Sequence, residues 1–272
     1  MGTLYLVATP IGNLEDITLR ALRILGQARL IAAEDTRQTR KLLAHYQIST
    51  PLLSYHEHNK LTRLSEVMAA LERGDVALVS DAGTPGLSDP GFELVRAALH
   101  AGHNVSPLPG PSAPIAALVA SGLPTDAFIY LGYLPRRGAE RRRLIRSLAG
   151  ERRTLLAFEV PHRLVESLAD LSEALGPSRP VAVCRELSKV HEEITRGTLA
   201  EAERRFEAEP PRGEVTLVIG GAQEQARWTE ARVRSALGER TASGMSRTEA
   251  AREVAGLSGW PKRAVYRLAE GP

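Results

Sequence analysis

The sequence predicts an α/β protein made of two α/β domains and a small helical tail. Apolar runs of strand length, such as VALVS at 76–80, alternate with segments whose apolar residues have helical spacing, as expected for parallel strands connected by helices. A length of 272 residues exceeds the roughly 250 residues at which a single core stops growing. We therefore predict domains at 1–121 and 122–222, followed by a helix-turn-helix-like tail at 223–272.

One strand-to-helix loop, DAGTPGLSDPG at 81–91, has the composition of a ligand-binding segment. Ligands of open α/β sheets bind at the carboxyl ends of strands, where helix N-terminal N–H groups point outward. The glycines of this loop allow a ligand to approach the backbone, and its prolines lower the entropy cost of ordering it. In the next helix we expect a buried stripe of Phe92, Val95 and Leu99, and a left-handed end at Gly102.

The chain begins with the strand TLYLVATP and the loop PIGN at 10–13. Asp16 is the predicted N-cap of the first helix. The residues expected on its inner face are Ile17, Ala21, Leu22 and Leu25. The next two strands end in the polar segments EDTR at 34–37 and HEHN at 56–59, and the helix after the first of these should bury Leu42 and Leu43.

The loop PGPS at 109–112 follows the fifth strand and precedes the helical segment APIAALVASG. Ser112 is the predicted N-cap of that helix. A tight turn before a capped helix would be a sufficient interpretation of the 81–91 loop alone. A second loop of the same composition beside it favours a ligand pocket that both loops share.

After Gly122 the strands indicate a mixed sheet. The predicted strands are DAFIYLGYL, TLLAFEVPHR, VAVCREL, EEITRGT and GEVTLVIGG. The second of them ends in a polar loop at 159–163. Cys184 is the one cysteine of the chain, so an intrachain disulfide is excluded, and we predict that it is a small buried residue of its strand.

A run of basic residues follows the first strand of the second half. Six arginines lie between Arg136 and Arg146, against one glutamate. Such a run is commonly a solvated helix face, but its density and the fit of a guanidinium to phosphate make RNA contact the competing interpretation. The candidate RNA-binding residues are Arg136, Arg137, Arg141, Arg142 and Arg143.

The tail is predicted to be helical after a polar linker at 223–227. One helix is expected at 228–239, and a capping box of Ser246 and Glu249 begins the next. Residues 227–272 carry nine Lys or Arg and five Asp or Glu, so the chain's net charge of +3 is concentrated there. A three-helix cap on the main body is the alternative to RNA binding. The candidate RNA-binding residues of the last helix are Lys262, Arg263 and Arg267.

The sequence lacks the motifs that identify several common kinds of binding or catalytic site. The chain lacks a G-x-G-x-x-G after its first strand, a P-loop and a G-x-S-x-G elbow. His56 and His58 have no third ligand near them, so no metal is predicted. No apolar run reaches the roughly 18 residues of a membrane span, and the chain opens directly into a strand, so we expect a cytoplasmic protein.

Seven motifs carry a resemblance to a known family. They are TPIGNLEDITLRAL, AEDTR, HEHN, VSDAGTPGLSDPG, PLPGPSA, FEVPHR and GEVTLVIGG, in this order. Over about residues 3–222 the chain is similar to the ribosomal small-subunit RNA methyltransferase I family, within the tetrapyrrole methylase superfamily. The tail resembles that family's helix-turn-helix domain.

The resemblance implies a class III methyltransferase of the tetrapyrrole methylase type. Its two α/β domains would hold S-adenosylmethionine in the cleft between them, and the protein would be a homodimer. The implied reaction is 2′-O-methylation of a cytidine ribose in the decoding region of 16S rRNA, with the rRNA or the 30S subunit as partner.

The resemblance also implies the cofactor-binding residues. Gly83, Thr84 and Pro85 stand where many superfamily members have Gly-Asp-Pro. The threonine at the aspartate position disfavours a tetrapyrrole substrate. Position by position, the resemblance implies that the following residues bind the cofactor: Pro10, Asp81, Gly83, Thr84, Pro85, Leu87, Ser88, Ser112, Ala113, Phe158, Pro161, Glu214, Val215 and Thr216.

Methyl transfer from a sulfonium depends mainly on positioning, because the methyl group is already activated. A carboxylate or histidine near the ribose hydroxyl could act as general base. Arg37 and Arg163 could hold phosphates. The favoured catalytic candidates are Glu34, Asp35, Arg37, His56 and Glu57, with Glu159 and His162 in the second domain, and the residues alone leave the choice open.

Two alternatives to this function remain. One is an S-adenosylmethionine-dependent methyltransferase that acts on a tetrapyrrole or a protein side chain. The other is a non-catalytic RNA-binding module whose α/β body supports the basic helices. The glycine- and proline-rich loops favour an enzyme, since a domain that only supports basic helices does not need ligand-binding loops.

Overall fold

The computed structural model describes residues 2–223 and 228–270. It divides into two compact units, residues 1–221 and residues 222–272. The first unit contains two five-stranded sheets, and the second contains three helices. Most of the predicted linker, residues 224–227, lies outside the described residues. Within the described part of the chain, no helix is long and apolar enough to cross a membrane.

The first sheet is entirely parallel, as predicted. Its strands, in the spatial order β3-β2-β4-β1-β5, are β1 (Thr3–Val7), β2 (Leu30–Ala33), β3 (Leu52–Ser54), β4 (Val76–Val79) and β5 (Asn104–Leu108). The connecting helices are α1 (Leu19–Gln27), α2 (Thr36–His45), α3 (Lys60–Leu71), α4 (Phe92–His100) and α5 (Ala113–Ser121). Because the strands are parallel, all of their carboxyl ends lie along one edge of the sheet.

The predicted N-cap of the first helix was wrong. Asp16 ends a short 3₁₀ turn (Leu14–Asp16) that Asn13 caps, and the α-helix begins later, at Leu19. Thr18 is the true cap, because its hydroxyl accepts a hydrogen bond from the Ala21 N–H at 3.0 Å. The Asp16 carboxylate instead accepts a hydrogen bond from the Ser188 hydroxyl. The predicted inner face of α1 is confirmed, with Ala21 and Leu25 buried.

The buried stripe predicted for α4 was wrong at Phe92 and Leu99, whereas Val95 is partly buried against the core of the first sheet. Leu94 and Ala98 face the sheet, whereas the side chains of Phe92 and Leu99 are 64% and 58% exposed. Both stripes are apolar and have helical spacing, so periodicity could not distinguish them. The predicted end of the helix is confirmed, since Gly102 has a φ of +79°.

The second sheet is mixed, as predicted. Its strands, in the order β6-β7-β10-β8-β9, are β6 (Phe128–Tyr133), β7 (Thr154–Glu159), β8 (Pro180–Arg185), β9 (Glu193–Thr198) and β10 (Val215–Ile219). Only the β6–β7 pair is parallel. The helices on this sheet are α6 (Gly138–Ser147), α7 (Leu164–Leu175) and α8 (Leu199–Ala208), and a 3₁₀ turn (Pro161–Arg163) follows β7.

Helix α5 joins the two sheets of the first unit. It follows the last strand of the first sheet, yet its Ala117 and Leu118 pack in one cluster with Leu156 and Val218 of the second sheet. Cys184 is buried in the same cluster, as predicted, and burial raises the pKa of its thiol to about 11. The division of this unit at residue 121, where α5 ends, stays a proposal.

The second unit is a three-helix bundle of α9 (Glu230–Ala242), α10 (Arg247–Ser258) and α11 (Lys262–Glu270). The predicted capping box is present at the start of α10. The first helix continues to Ala242, three residues beyond its predicted end. Trp228 and Trp260 pack on the bundle's own core, and the Trp260 indole N–H donates to the Trp228 carbonyl at 2.6 Å.

Candidate active site

A cavity of about 300 Å³ lies where the carboxyl edge of the first sheet faces the second sheet. Twelve of the fourteen predicted cofactor-binding residues line it: Asp81, Gly83, Thr84, Leu87, Ser88, Ser112, Ala113, Phe158, Pro161, Glu214, Val215 and Thr216. Pro10 lines a smaller neighbouring cavity that shares Asp81. Pro85 is buried within its own loop. The structure thus brings segments far apart in sequence to one place.

Hydrogen bonds fix the 81–91 loop at the cavity wall. The backbone of Gly83 pairs with that of Thr9 through two hydrogen bonds of 2.9 Å. The Thr84 hydroxyl donates to the Pro111 carbonyl at 3.3 Å, which ties this loop to the one at 109–112. Gly83 has a φ of +81°, so a side chain would strain the backbone there.

Ser112 stands at the N-cap of α5 without making the capping bond that was expected of it. Its backbone occupies the cap position, but no side-chain cap hydrogen bond forms. The first turn of α5 contributes Ala113 and Pro114 to the cavity wall. Pro114 has no N–H, so at this wall the helix offers the Ala113 N–H, and Ser112 its hydroxyl, to a ligand.

A buried carboxylate orders the loop that follows β7. Glu159 accepts a hydrogen bond from the Val160 N–H at 2.7 Å and one from the Ser167 hydroxyl at 2.5 Å. Its other partner is Arg163, at 2.6 Å. The Arg163 side chain is only 13% exposed and already paired, which disfavours a phosphate there, and its role as a phosphate ligand stays a prediction.

Three carboxylates from two strand ends line the cavity beside one another. The Asp81 N–H donates to Glu34 at 3.3 Å, and the Asp81 carboxylate accepts from the Asp35 N–H at 2.9 Å. Burial raises the pKa of Glu34, and the hydrogen bond from Asp81 opposes that shift. Burial, followed by repulsion from Glu34, raises the pKa of Asp89 to about 7.

Of the catalytic candidates, the structure places Glu34 of the first domain and Glu159 of the second on the cavity wall. Asp35 caps α2 and pairs with Arg37 at 2.7 Å, and these hydrogen bonds hold the pKa of Asp35 down at about 2. Glu57 pairs with Lys60. His56 lies close enough to Glu34 for its charge to lower the pKa of that carboxyl.

Sequence reasoning missed several residues of the wall. Asp89 lies in the same loop as the predicted Asp81 and Ser88, so its position was the available signal. Tyr133 ends β6, and nothing in the sequence indicates that its ring reaches the cavity. The other missed lining residues are Ile11, Ala82, Pro114, Val160 and Gly213. Among the described residues, no group of three or more His, Cys, Asp or Glu could hold a metal ion.

Comparison with known proteins assigns the chain to a family. The model of the Tetrapyrrole (Corrin/Porphyrin) Methylases matches residues 3–203. A Synechocystis protein named ribosomal RNA small subunit methyltransferase I is 50% identical over 271 residues, which are 98% of this chain and 97% of that protein. The chain belongs to the ribosomal RNA small subunit methyltransferase I family of tetrapyrrole methylases.

Two further comparisons bear on the fold of this family member. A Thermotoga maritima protein of the same name is 48% identical over 224 residues, which are its whole length and 82% of this chain. Uroporphyrin-III C-methyltransferase from Thermus thermophilus, solved in complex with S-adenosyl homocysteine, has a TM-score of 0.57. The two chains are 22% identical, and the match covers 80% of this chain and 97% of that one. The predicted tetrapyrrole methylase fold is confirmed.

The basic run of this family member is less exposed than its sequence suggests. Arg141 is fully buried, 2.6 Å from Glu166 and 2.7 Å from Asp170 of α7. Its predicted contact with RNA was therefore wrong, because both acids hold it inside the protein. Arg142 is half-exposed. The candidate RNA-binding residues that are exposed are Arg136, Arg137, Arg143 and, in the tail, Lys262, Arg263 and Arg267.

Proposed function

We propose that this chain transfers a methyl group from S-adenosylmethionine to the ribose 2′-oxygen of a cytidine in the decoding region of 16S rRNA. The observation that carries the proposal is the cavity, which gathers the motifs of the family in one place. Membership of a family whose relatives are named as small-subunit rRNA methyltransferases supports the substrate class. The substrate would be the rRNA or the 30S subunit, in the cytoplasm.

The cavity has groups that suit S-adenosylmethionine. The Ala113 N–H at the start of α5 and the free Ser112 hydroxyl are donors for its carboxylate. The Asp81 and Glu214 side chains on the wall are acceptors for its ammonium group and ribose hydroxyls. Phe158 and Val215 supply an apolar surface for its adenine. The cofactor supplies an activated methyl group, so the protein has to position the acceptor oxygen.

We assign the role of general base to Glu34. It is the first-domain candidate on the wall, and a raised pKa makes its carboxylate a better proton acceptor. Glu159 also lines the cavity, but its carboxylate is buried and held by Arg163 at 2.6 Å. Asp35 is unsuited to this role, because Arg37 and the α2 backbone keep it ionised and occupied. Arg37 itself points into solvent, with its side chain 84% exposed, where it could contact RNA.

We also propose a homodimer. Ile115 and Val119 lie four residues apart on one face of α5 and are 46% and 68% exposed, while the opposite face of the helix is packed on the second sheet. A helix that is apolar on all sides is normally covered on all sides. A second copy would cover this face. Light scattering on the parent and on Val119→Glu tests the proposal: a dimer that becomes a monomer supports it, and a monomeric parent refutes it.

Two measurements test the proposed function. Titration calorimetry with S-adenosylmethionine should show saturable binding to the parent and to Glu34→Gln alike. Mapping of 2′-O-methylation on rRNA from cells with and without the chain should show one ribose that depends on it. Glu34→Gln should lower the methylation rate by roughly 100-fold or more, and Asp35→Asn is the matched control that should retain it. If the parent does not bind S-adenosylmethionine, the proposed function is refuted and the alternative of a non-catalytic RNA-binding module is favoured.

A further inference from the structure

The end of β6 is irregular next to the cavity. Tyr130 pairs with Leu156 of β7, but Tyr133 pairs with Phe158, so β6 contains one residue more than its partner strand over this stretch. Gly132 lies in the extra step with a φ of +66°, which a residue with a side chain would resist. An inserted residue of this kind is a β-bulge, and such bulges redirect side chains.

The bulge brings two tyrosines to the same ring. In a regular strand, residues three apart point to opposite faces of the sheet. Here the rings of Tyr130 and Tyr133 both contact Phe158, with centroid distances of 5.6 Å and 5.3 Å. The Tyr130 hydroxyl hydrogen-bonds to that of Ser88 at 2.7 Å, so its position is fixed. Tyr133 is 55% exposed and lines the cavity.

We propose that Tyr133 is the surface on which the unstacked target base of the RNA rests while its ribose enters the cavity. The inference rests on the proposed function and names a residue that positions the substrate. RNA-binding proteins hold single-stranded bases by stacking them on exposed aromatic rings. Tyr133 is such a ring, because it is exposed and lines the cavity.

The charges near Tyr133 agree with a nucleotide at this place. Arg136 and Arg137 follow it by three and four residues and are exposed, with Arg137 paired to Glu140 at 3.3 Å. Guanidinium groups are good ligands for the phosphates that flank a stacked base. The alternative occupant of the ring is the adenine of the cofactor. Buried wall residues such as Pro114, Val215 and Thr216 offer adenine a more enclosed place.

The test compares Tyr133→Ala with Tyr133→Trp on 30S subunits that lack the modification. Loss of one stacked base should lower kcat/KM for Tyr133→Ala by roughly 10-fold or more, and Tyr133→Trp should stay within about threefold of the parent because a larger ring still stacks. S-adenosylmethionine affinity should be unchanged in both variants. Phe128→Ala is the matched control, since Phe128 is a partly exposed ring of the same strand that does not line the cavity.

Each outcome of this test decides the question. If the parent is active and Tyr133→Ala has the same kcat/KM, the inference about Tyr133 is refuted and the proposed function is not. A loss of cofactor affinity in Tyr133→Ala that matches the loss of kcat/KM assigns the ring to adenine and also refutes it. If Tyr133→Trp loses as much kcat/KM as Tyr133→Ala, the tyrosine has a structural role and the inference is refuted. A parent that binds S-adenosylmethionine but methylates no 30S ribose refutes the proposed substrate, and the inference with it.

Discussion

At the scale of single residues, the Asp89 carboxyl group carries a charge that changes near neutral pH. Its pKa is about 7 because it is partly buried and faces the carboxylates of Glu34 and Asp81, while the Ser80 side chain opposes the shift with a hydrogen bond. Tyr130 and Tyr133 also face it. In the unfolded chain an aspartate ionises near its ordinary pKa of 3.8. Ionisation of Asp89 therefore opposes folding increasingly as pH rises from the lower of these values to the higher, and fully above it.

We expect Asp89→Asn to stabilise the protein above pH 7. The favourable effect of a protonated Asp89 is complete below the unfolded pKa and is lost as pH rises through the folded pKa. Allowing for partial exposure, the variant should exceed the parent in free energy of unfolding by roughly 2 kcal/mol at pH 8. Denaturant unfolding of cofactor-free protein between pH 4 and pH 8 measures this difference. A gain that is the same at every pH would contradict the assignment.

At the scale of elements, α6 shows what a sequence pattern cannot reveal. Its arginines look alike in the sequence, yet Arg141 is buried and Arg143 is exposed. The acids that hold Arg141 lie on α7, 25 and 29 residues further along the chain. A pattern of spacing identifies which residues share a helix face but not which face meets another element. The same reason explains the wrong stripe on α4, where two apolar faces competed.

The strand-end loops could be predicted better than the helix faces. Glycine and proline determine local backbone conformation, so the segments at 81–91 and 109–112 could be recognised before the fold was known. The bulge in β6 could not, because Gly132 is one of several glycines in strands or loops and its partner strand begins more than 20 residues later. Tyr133 was missed for that reason.

Two arginine variants of α6 should separate stability from RNA binding. Arg141→Ala leaves the buried Asp170 carboxylate without its closest partner and should lower the free energy of unfolding by roughly 3 kcal/mol. Arg143→Ala should change stability by less than about 0.5 kcal/mol and reduce the salt slope of RNA affinity by roughly 0.7. Denaturant unfolding and RNA titrations at several salt concentrations measure the two effects. Equal salt slopes for Arg143→Ala and the parent would show that Arg143 does not contact RNA and that the exposed side of α6 is only solvated.

At the scale of the whole molecule, the compact units have separate cores. Val233, Leu237, Val254 and Val265 pack with one another inside residues 222–272. The tail's two tryptophans, Trp228 and Trp260, pack against this cluster. The Thermotoga maritima relative aligns over its whole length of 224 residues, close to the 221 residues of the first unit. The first unit is therefore about as long as a whole relative of this family.

A chain that ends at Ala222 should accordingly fold and bind the cofactor. All the residues that line the cavity lie before residue 217, so S-adenosylmethionine affinity should stay within about twofold of the parent, and the melting temperature of the body should be retained. Methylation of 30S subunits should fall, because the excess positive charge of the chain lies in residues 227–272 and electrostatic attraction supplies much of the affinity for RNA.

Charge reversal in the full-length chain distinguishes a lost charge from a lost fold. Lys262→Glu combined with Arg267→Glu changes two exposed residues of α11 and leaves the core of the bundle intact. This variant should lose methylation to a similar extent as the truncated chain, and the loss should be greatest at low salt, where phosphate contacts are least screened. Melting temperature, cofactor affinity and methylation are measured on both variants. If truncation abolishes all three together, the tail is a structural part of the body, and if charge reversal leaves methylation unchanged, α11 does not contact RNA.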